Sequence, residues 1–158
     1  MKMRIDYHDE FREEPLRAML ALEKYVHECG LDGKLLELVK MRASQINGCA
    51  YCLDMHSKDA RALGETEQRL YALNAWRETP FYSERERAAL EWTEAVTLVS
   101  RTHVPDEVYE QVRKHFSEKE LLDLTFAVVA INSWNRLAIS LRAIPGTYQP
   151  RKSSAAAS

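Results

Sequence analysis

From Leu121 to Leu141, eleven apolar residues fall on nearly every face of a helix: Leu121, Leu122, Leu124, Phe126, Val128, Val129, Ile131, Trp134, Leu137, Ile139 and Leu141. A helix that is apolar all round has to be buried. One core built from 158 residues covers such a circumference poorly. The stretch therefore predicts a helix covered by its own chain and by a second subunit. Asn132, Asn135, Arg136 and the indole N–H of Trp134 interrupt the apolar surface. Burying such groups without partners costs several kcal/mol. They are expected to be bonded, across a subunit interface first and at the mouth of a binding site second.

The rest of the chain also reads as helix. Five glycines and five prolines are its only strong breakers, and no period-2 run of β-branched residues stands out. One helix is predicted over 15–29, with Leu16, Met19, Leu20, Leu22, Tyr25 and Val26 as its apolar face and Gly30 as its stop. A second covers 34–46, and Asn47-Gly48 marks a turn. A third opens at or just before Cys49 and runs to Leu63, ahead of Gly64. Thr66 caps a short helix to Ala72. Ser83 and Glu86 form a Ser-x-x-Glu capping box, which launches a helix to about Arg101. Pro105 suits the first turn of a helix to His115. Ser117 and Glu120 form a second box at the head of the last helix, which runs to Arg142. The fold class is an all-α bundle of about six to seven helices, with the second and third forming a hairpin. A single domain is expected over 1–144. Pro145-Gly146 then begins a disordered tail over 145–158.

The 22 Lys and Arg against 24 Asp and Glu leave a net charge of −2. No basic field favours nucleic acid, and no polybasic segment favours anionic lipid. No apolar run is expected to reach the roughly 20 residues that span a bilayer. The opening residues from Met1 to Tyr7 lack the apolar core of a secretory signal. The expected location is the cytoplasm, where a Cys-x-x-Cys pair is redox-active or metal-binding rather than a structural staple. Cys29 reads as a small hydrophobe at a helix end. His8, His27, His103 and His115 show no ligand spacing and are expected to face solvent.

The chemistry concentrates in one short stretch. Cys49-Ala50-Tyr51-Cys52 is followed by His56, and Glu37 lies twelve residues before Cys49. On a helix Cys52 and His56 share a face. A thiol at a helix start, near a base, becomes thiolate at lower pH, and thiolate is the reactive form. The spacing lets the two sulfurs close into a disulfide. One cysteine can attack an oxidant and become a sulfenic acid, which the other resolves. His56 can move the protons because histidine titrates near neutral pH. Glu37 could orient it, provided the turn at Asn47-Gly48 folds its helix back beside the third.

Glu37, the run Gln45-Ile46-Asn47-Gly48-Cys49-Ala50-Tyr51-Cys52 and Met55-His56 resemble the core of the carboxymuconolactone decarboxylase family. More narrowly, they resemble its alkylhydroperoxidase D-like (AhpD-like) branch. Asp59-Ala60-Arg61, Gly64-Glu65, the run 81–90 and the run 131–137 extend the likeness over about 16–144. The resemblance implies an all-helical fold assembled as trimers or hexamers, and peroxide reduction without a cofactor. It implies that Cys52 attacks the peroxide, that Cys49 resolves, and that Glu37 and His56 form the proton relay. It also implies a lipoylated or thioredoxin-like protein as reductant. Tyr51 departs from members that carry a second histidine between the cysteines. With a reference pKa of ~10, a tyrosine is a poor base but can donate an accessory hydrogen bond. Decarboxylase members lack the cysteine pair, so lactone decarboxylation is not expected.

Two rival readings use the same residues. Cys49, Cys52, His56 and Glu37 could surround a tetrahedral zinc ion, although the second Cys or His pair usual in zinc modules is missing. Alternatively the chain is a non-catalytic structural or sensor oligomer. Trp76, Phe81 and Tyr82 could line an apolar pocket, with packing in the core or loop favoured.

Overall fold

A computed structural model describes residues 2–6 and 13–150, apart from the side chain of Glu13. Eight α-helices, one 3-10 helix and no strand occur among the described residues. Helix α1 covers Glu13–Glu28, α2 Gly33–Asn47, α3 Ala50–Ala62 and α4 Glu67–Ala72, which runs on into a 3-10 helix, Leu73–Glu78. Then come α5, Glu84–Thr97; α6, Val99–Thr102; α7, Asp106–Arg113; and α8, Glu118–Leu141.

Local chemistry sets most of these ends. The Asp32 carboxylate accepts from the Leu35 N–H at the head of α2, and Thr66 accepts from Arg69 N–H at the head of α4. Both expected capping boxes form, at Ser83 with Glu86 and at Ser117 with Glu120. The count exceeds six to seven because the helix expected to reach Arg101 breaks at Leu98 (φ −98°, ψ 30°). Thr102 Oγ1 turns back onto the Ala95 carbonyl at 2.7 Å, which closes the short α6 against α5.

Helix α2 lies at the centre, packed on α3, α5 and α8. Leu35, Leu36 and Val39 on one side meet Ala89, Trp92, Leu124 and Val128 of α5 and α8. Leu38 and Met41 on the other meet Ala60, Leu70, Leu73, Trp76, Tyr82 and Leu90. Trp76 and Tyr82 thus belong to the core, and the Trp76 indole N–H donates to Glu94 at 2.8 Å. Cys29 is half-buried at the edge of the first cluster and its thiol donates to the Val26 carbonyl. His27 and His103 face solvent, while His115 is half-buried.

Two expectations about the C-terminal third need correction. Helix α8 is in fact long and apolar enough to cross a membrane by length and composition. It instead packs against α1, α2, α3, α5 and α7, with Asp123 and Asn135 buried among those helices. Its polar residues, expected across a subunit interface first and at the mouth of a binding site second, find partners within the chain. Trp134 Nε1 donates to Glu23, Asn132 to Thr97, Asn135 to Ser44, and Arg136 to the Asn132 carbonyl. The second correction concerns the tail. The chain does not leave the fold at Pro145-Gly146: the Gly146 N–H donates to Asp54, Lys58 Nζ to the Tyr148 carbonyl, and the Tyr148 hydroxyl to Asp59. The remainder of the expected tail, 151–158, lies outside the described residues, as does His8.

Candidate active site

A single glycine ends α2 and turns the chain into α3. Gly48, at φ 71°, turns the chain in the left-handed region that glycine adopts without penalty. The Gly48 N–H bonds the Gln45 carbonyl and the Cys49 N–H bonds the Ser44 carbonyl, the paired closure of a Schellman end. The Cys49 side chain then caps α3, its sulfur accepting from the Cys52 N–H at 3.4 Å. Both thiols are free and almost wholly buried, at 1% and 2% exposed. They pack against Ala43 of α2 and against Ile131 and Ala138 of α8.

At the cap, Cys49 holds the charge. The Cys52 thiol donates to it and the Cys52 backbone N–H adds a second bond, so its pKa falls to about 7. Cys52, the donor, is pushed up, first by that bond and then by burial. The direction thus favours the anion on Cys49, whereas the resemblance assigns the attack to Cys52. Tyr51 is half-buried against the same cluster. Burial, and then the nearby negative groups, raise its pKa, which leaves it a donor.

One turn beyond Cys52, His56 is buried on the same face of α3, and its Nδ1 is 2.8 Å from Glu37 Oε2. The hairpin therefore brings Glu37 to His56 as the topology suggested. Burial opposes the Glu37 charge, but the hydrogen bond and charge of His56, with Lys40 behind, outweigh it and hold the carboxyl below its usual range. Lys40 Nζ lies 3.5 Å from Glu37 and 2.7 Å from Glu23 of α1. Burial works against this ammonium too, yet the two carboxylates hold its pKa up. Asp59 closes the cluster: one oxygen each from Glu37 and Asp59 and one nitrogen of His56 lie within 4.8 Å of one another. Burial raises the Asp59 pKa, and the Tyr148 hydroxyl, 2.7 Å away, partly offsets this.

This geometry bears on the zinc alternative. Among the described residues, Glu37, His56 and Asp59 are the group that converges tightly enough to hold a metal, and neither sulfur belongs to it. The four expected ligands do not come together. The group that does meet is already tied up, with His56 Nδ1 bonded to Glu37 and Lys40 beside the same carboxylate.

Lys40, Asp59, Asn135 and Tyr148 had no assigned part in the relay. Spacing alone would have suggested two of them, since Lys40 follows Glu37 and Asp59 follows His56 by three positions, one helical turn. The neighbouring face of α3 borders a groove of about 640 Å³. Leu53, Ser57, Lys58, Tyr71 and Pro150 are among its lining residues.

The profile of the carboxymuconolactone decarboxylase family matches residues 13–95, more than half of the chain. The chain belongs to the carboxymuconolactone decarboxylase family. Among its relatives is the uncharacterized protein YdfG of Bacillus subtilis, 47% identical over 141 residues, which span 89% of this chain and 95% of that one. The solved structure of ATU0492 from Agrobacterium tumefaciens is 44% identical with a TM-score of 0.89, covering 93% of this chain and 100% of that one. It is a protein of unknown function, ascribed there to antioxidant defence as an AhpD. An uncharacterized peroxidase-related protein from Silicibacter is 27% identical with a TM-score of 0.77, covering 87% of this chain and 73% of its own. The fold is thus that of the AhpD-like branch of the carboxymuconolactone decarboxylase family.

Proposed function

We propose that this chain is a thiol peroxidase, which reduces hydroperoxides by cycling Cys49 and Cys52 between dithiol and disulfide. One observation carries the reading. Two buried free thiols stand together at the head of α3, one turn from a buried His56–Glu37 couple. The AhpD-like relatives support it.

In the proposed cycle Cys49 takes the Cys52 proton, and Cys52 attacks because it is the sulfur one turn from His56. The Cys52 sulfur–oxygen bond forms as the peroxide O–O bond breaks. The leaving oxygen takes a proton from His56 and departs as an alcohol, or as water from hydrogen peroxide. His56 is reprotonated from solvent by way of Glu37. The Cys49 sulfur then attacks the sulfenic sulfur. The S–S bond forms, the S–O bond breaks, and the oxygen leaves as water with the Cys49 proton. The two sulfurs have lost two electrons and the peroxide has gained them. A lipoylated or thioredoxin-like dithiol protein returns them, in the reducing setting of the cytoplasm.

The same reading gives α8 a second cover. Leu122, Phe126 and Val129 stand exposed on α8, with Phe126 edge-on to the exposed Tyr25 of α1, and this strip is the proposed contact with other copies in a trimer or hexamer. Phe126→Glu should yield monomers in analytical ultracentrifugation. An unchanged sedimentation coefficient refutes that contact.

Activity is tested by following a dithiol reductant while hydrogen peroxide, then an organic hydroperoxide, is added to reduced protein. The expected result is one Cys49–Cys52 disulfide per peroxide consumed. Sulfurs that stay reduced under both oxidants would overturn the function.

A further inference from the structure

Asn135 lies on the most apolar helix of the chain, yet its side chain is fully buried at 0% exposure. It sits one turn from Ile131 and Ala138, which pack against both cysteines. An amide carries two N–H donors and one accepting oxygen, and which end faces which neighbour must be fixed by the surrounding bonds. Here the direction is fixed from a backbone carbonyl, which can only accept. Asn132 Nδ2 donates to the Val128 carbonyl at 2.9 Å and to Thr97 Oγ1 at 3.0 Å. Its Oδ1 therefore faces Asn47, whose Nδ2 donates to it at 3.0 Å and to Asn135 Oδ1 at 2.8 Å. With its oxygen so occupied, Asn135 turns its NH₂ to the other side. There it donates to Ser44 Oγ at 3.0 Å, the residue whose carbonyl takes the Cys49 N–H, on the helix face that packs against both cysteines. A flipped amide would set its NH₂ against that of Asn47.

We propose that Asn135 is a catalytic residue of the dithiol, its side-chain N–H holding negative charge on sulfur. The inference rests on the redox reading above for its chemistry. The charge arises twice. It is present on the resting thiolate before the peroxide step. It returns when a thiolate of the dithiol reductant attacks the Cys49–Cys52 bond: a mixed disulfide forms, the S–S bond breaks, and one enzyme sulfur leaves with the electron pair. A preorganised donor aimed at such a sulfur lowers the barrier to both steps without reorienting. Around the pair, α3 contributes Tyr51 and His56 as titratable groups and α2 contributes Glu37 behind His56. Helix α8 contributes this neutral amide, whose donors do not titrate.

The test is the thiolate absorbance near 240 nm, titrated in reduced wild-type protein, Asn135→Leu and Asn135→Asp. It needs no peroxide. Loss of one charge-assisted hydrogen bond should move the Leu variant's midpoint upward by about one pH unit. The Asp variant, of nearly the same shape but with an acceptor where the donor was, should move it further. Asn47→Ala, which touches neither sulfur in this scheme, should shift it less and in the same direction. That variant keeps the test readable if substitution at 135 prevents folding. A residue that only fills space would leave the midpoint in place. Folded variants that titrate with the wild type overturn the proposal. A wild type that titrates near pH 7 and shifts in the variants, but consumes no peroxide, overturns the peroxidase reading and leaves the role of Asn135 in thiolate stabilisation standing.

Discussion

Two buried polar networks flank the sulfurs, and they are built differently. On the α1–α2–α3 side the members carry formal charge: Glu23, Lys40, Glu37 and His56 run from a partly exposed carboxylate to the histidine behind Cys52. On the α8 side the members are neutral amides and hydroxyls, Thr97, Asn132, Asn47, Asn135 and Ser44, with one cation, the exposed Arg136, on Asn132 Oδ1 at the rim. A charged network answers to pH and suffers badly when one member is lost, because a buried charge is left unpaired. An amide network is indifferent to pH across the physiological range and works by direction, each bond fixing the next. The first can move protons. The second can only point.

The comparison breaks first at the sulfurs themselves. Cys52→Ser should abolish peroxide consumption while leaving both networks in place, and undiminished turnover would remove Cys52 as the attacking thiol. Cys49→Ser should leave the sulfenic acid on Cys52, visible by mass spectrometry after one equivalent of peroxide. Oxygen trapped instead on Cys49, in the Cys52→Ser protein, would reverse the two roles.

Lys40→Met comes next, because it strands Glu37 and Glu23 without their shared cation. The expected loss is about 3–5 kcal/mol of unfolding free energy by denaturant titration. A loss no larger than that from cutting one amide bond, about 1–3 kcal/mol in Asn132→Leu, would mean that the two networks do not differ in kind.

The pH dependence sharpens the contrast. Glu37 is held below its ordinary 4.5, so its contribution to stability is full above that value and is lost as pH falls through the depressed one. Glu37→Gln should flatten this acid limb, and an unchanged limb would show that the charged side does not govern it. In the wild type, alkylation of the dithiol should rise with pH through a midpoint at about 7, where Cys49 ionises. A midpoint near that of an ordinary thiol would mean that the Cys49 cap is not stabilising the anion.

The smallest effect is expected from Tyr148→Phe. It removes one half-buried hydrogen bond to Asp59, worth roughly 0.5–1.5 kcal/mol, and should leave the thiol midpoint where it is. A large shift of that midpoint would tie the C-terminal segment to the charged network more closely than this geometry does.

How much of this was legible in the sequence followed from range. The capping boxes at Ser83 and Ser117 are local, four-residue chemistry, and they stand where the residues placed them. The shared face of Cys52 and His56 is also local, and Glu37 followed once the glycine turn folded α2 back on α3. Lys40 was legible only through its one-turn spacing from Glu37; a lysine on a helix is ordinarily exposed, and nothing nearby announces that Glu23 of α1 will close on it from the other side. Asn135 was visible as an anomaly on an oily helix, but sequence does not say which helix that face meets. It was therefore given to another subunit when α2 of its own chain held its partners. The break at Leu98 carries neither glycine nor proline. Tyr148 stood beyond a Pro-Gly pair that reads as an exit.

The double duty of Cys49 makes this corner intolerant of changes in spacing. Adding or removing a single position between Cys49 and Cys52 would turn the two sulfurs by roughly 100° relative to each other about the helix axis, so that they no longer lie side by side. Substitution can be absorbed there one side chain at a time; insertion or deletion cannot.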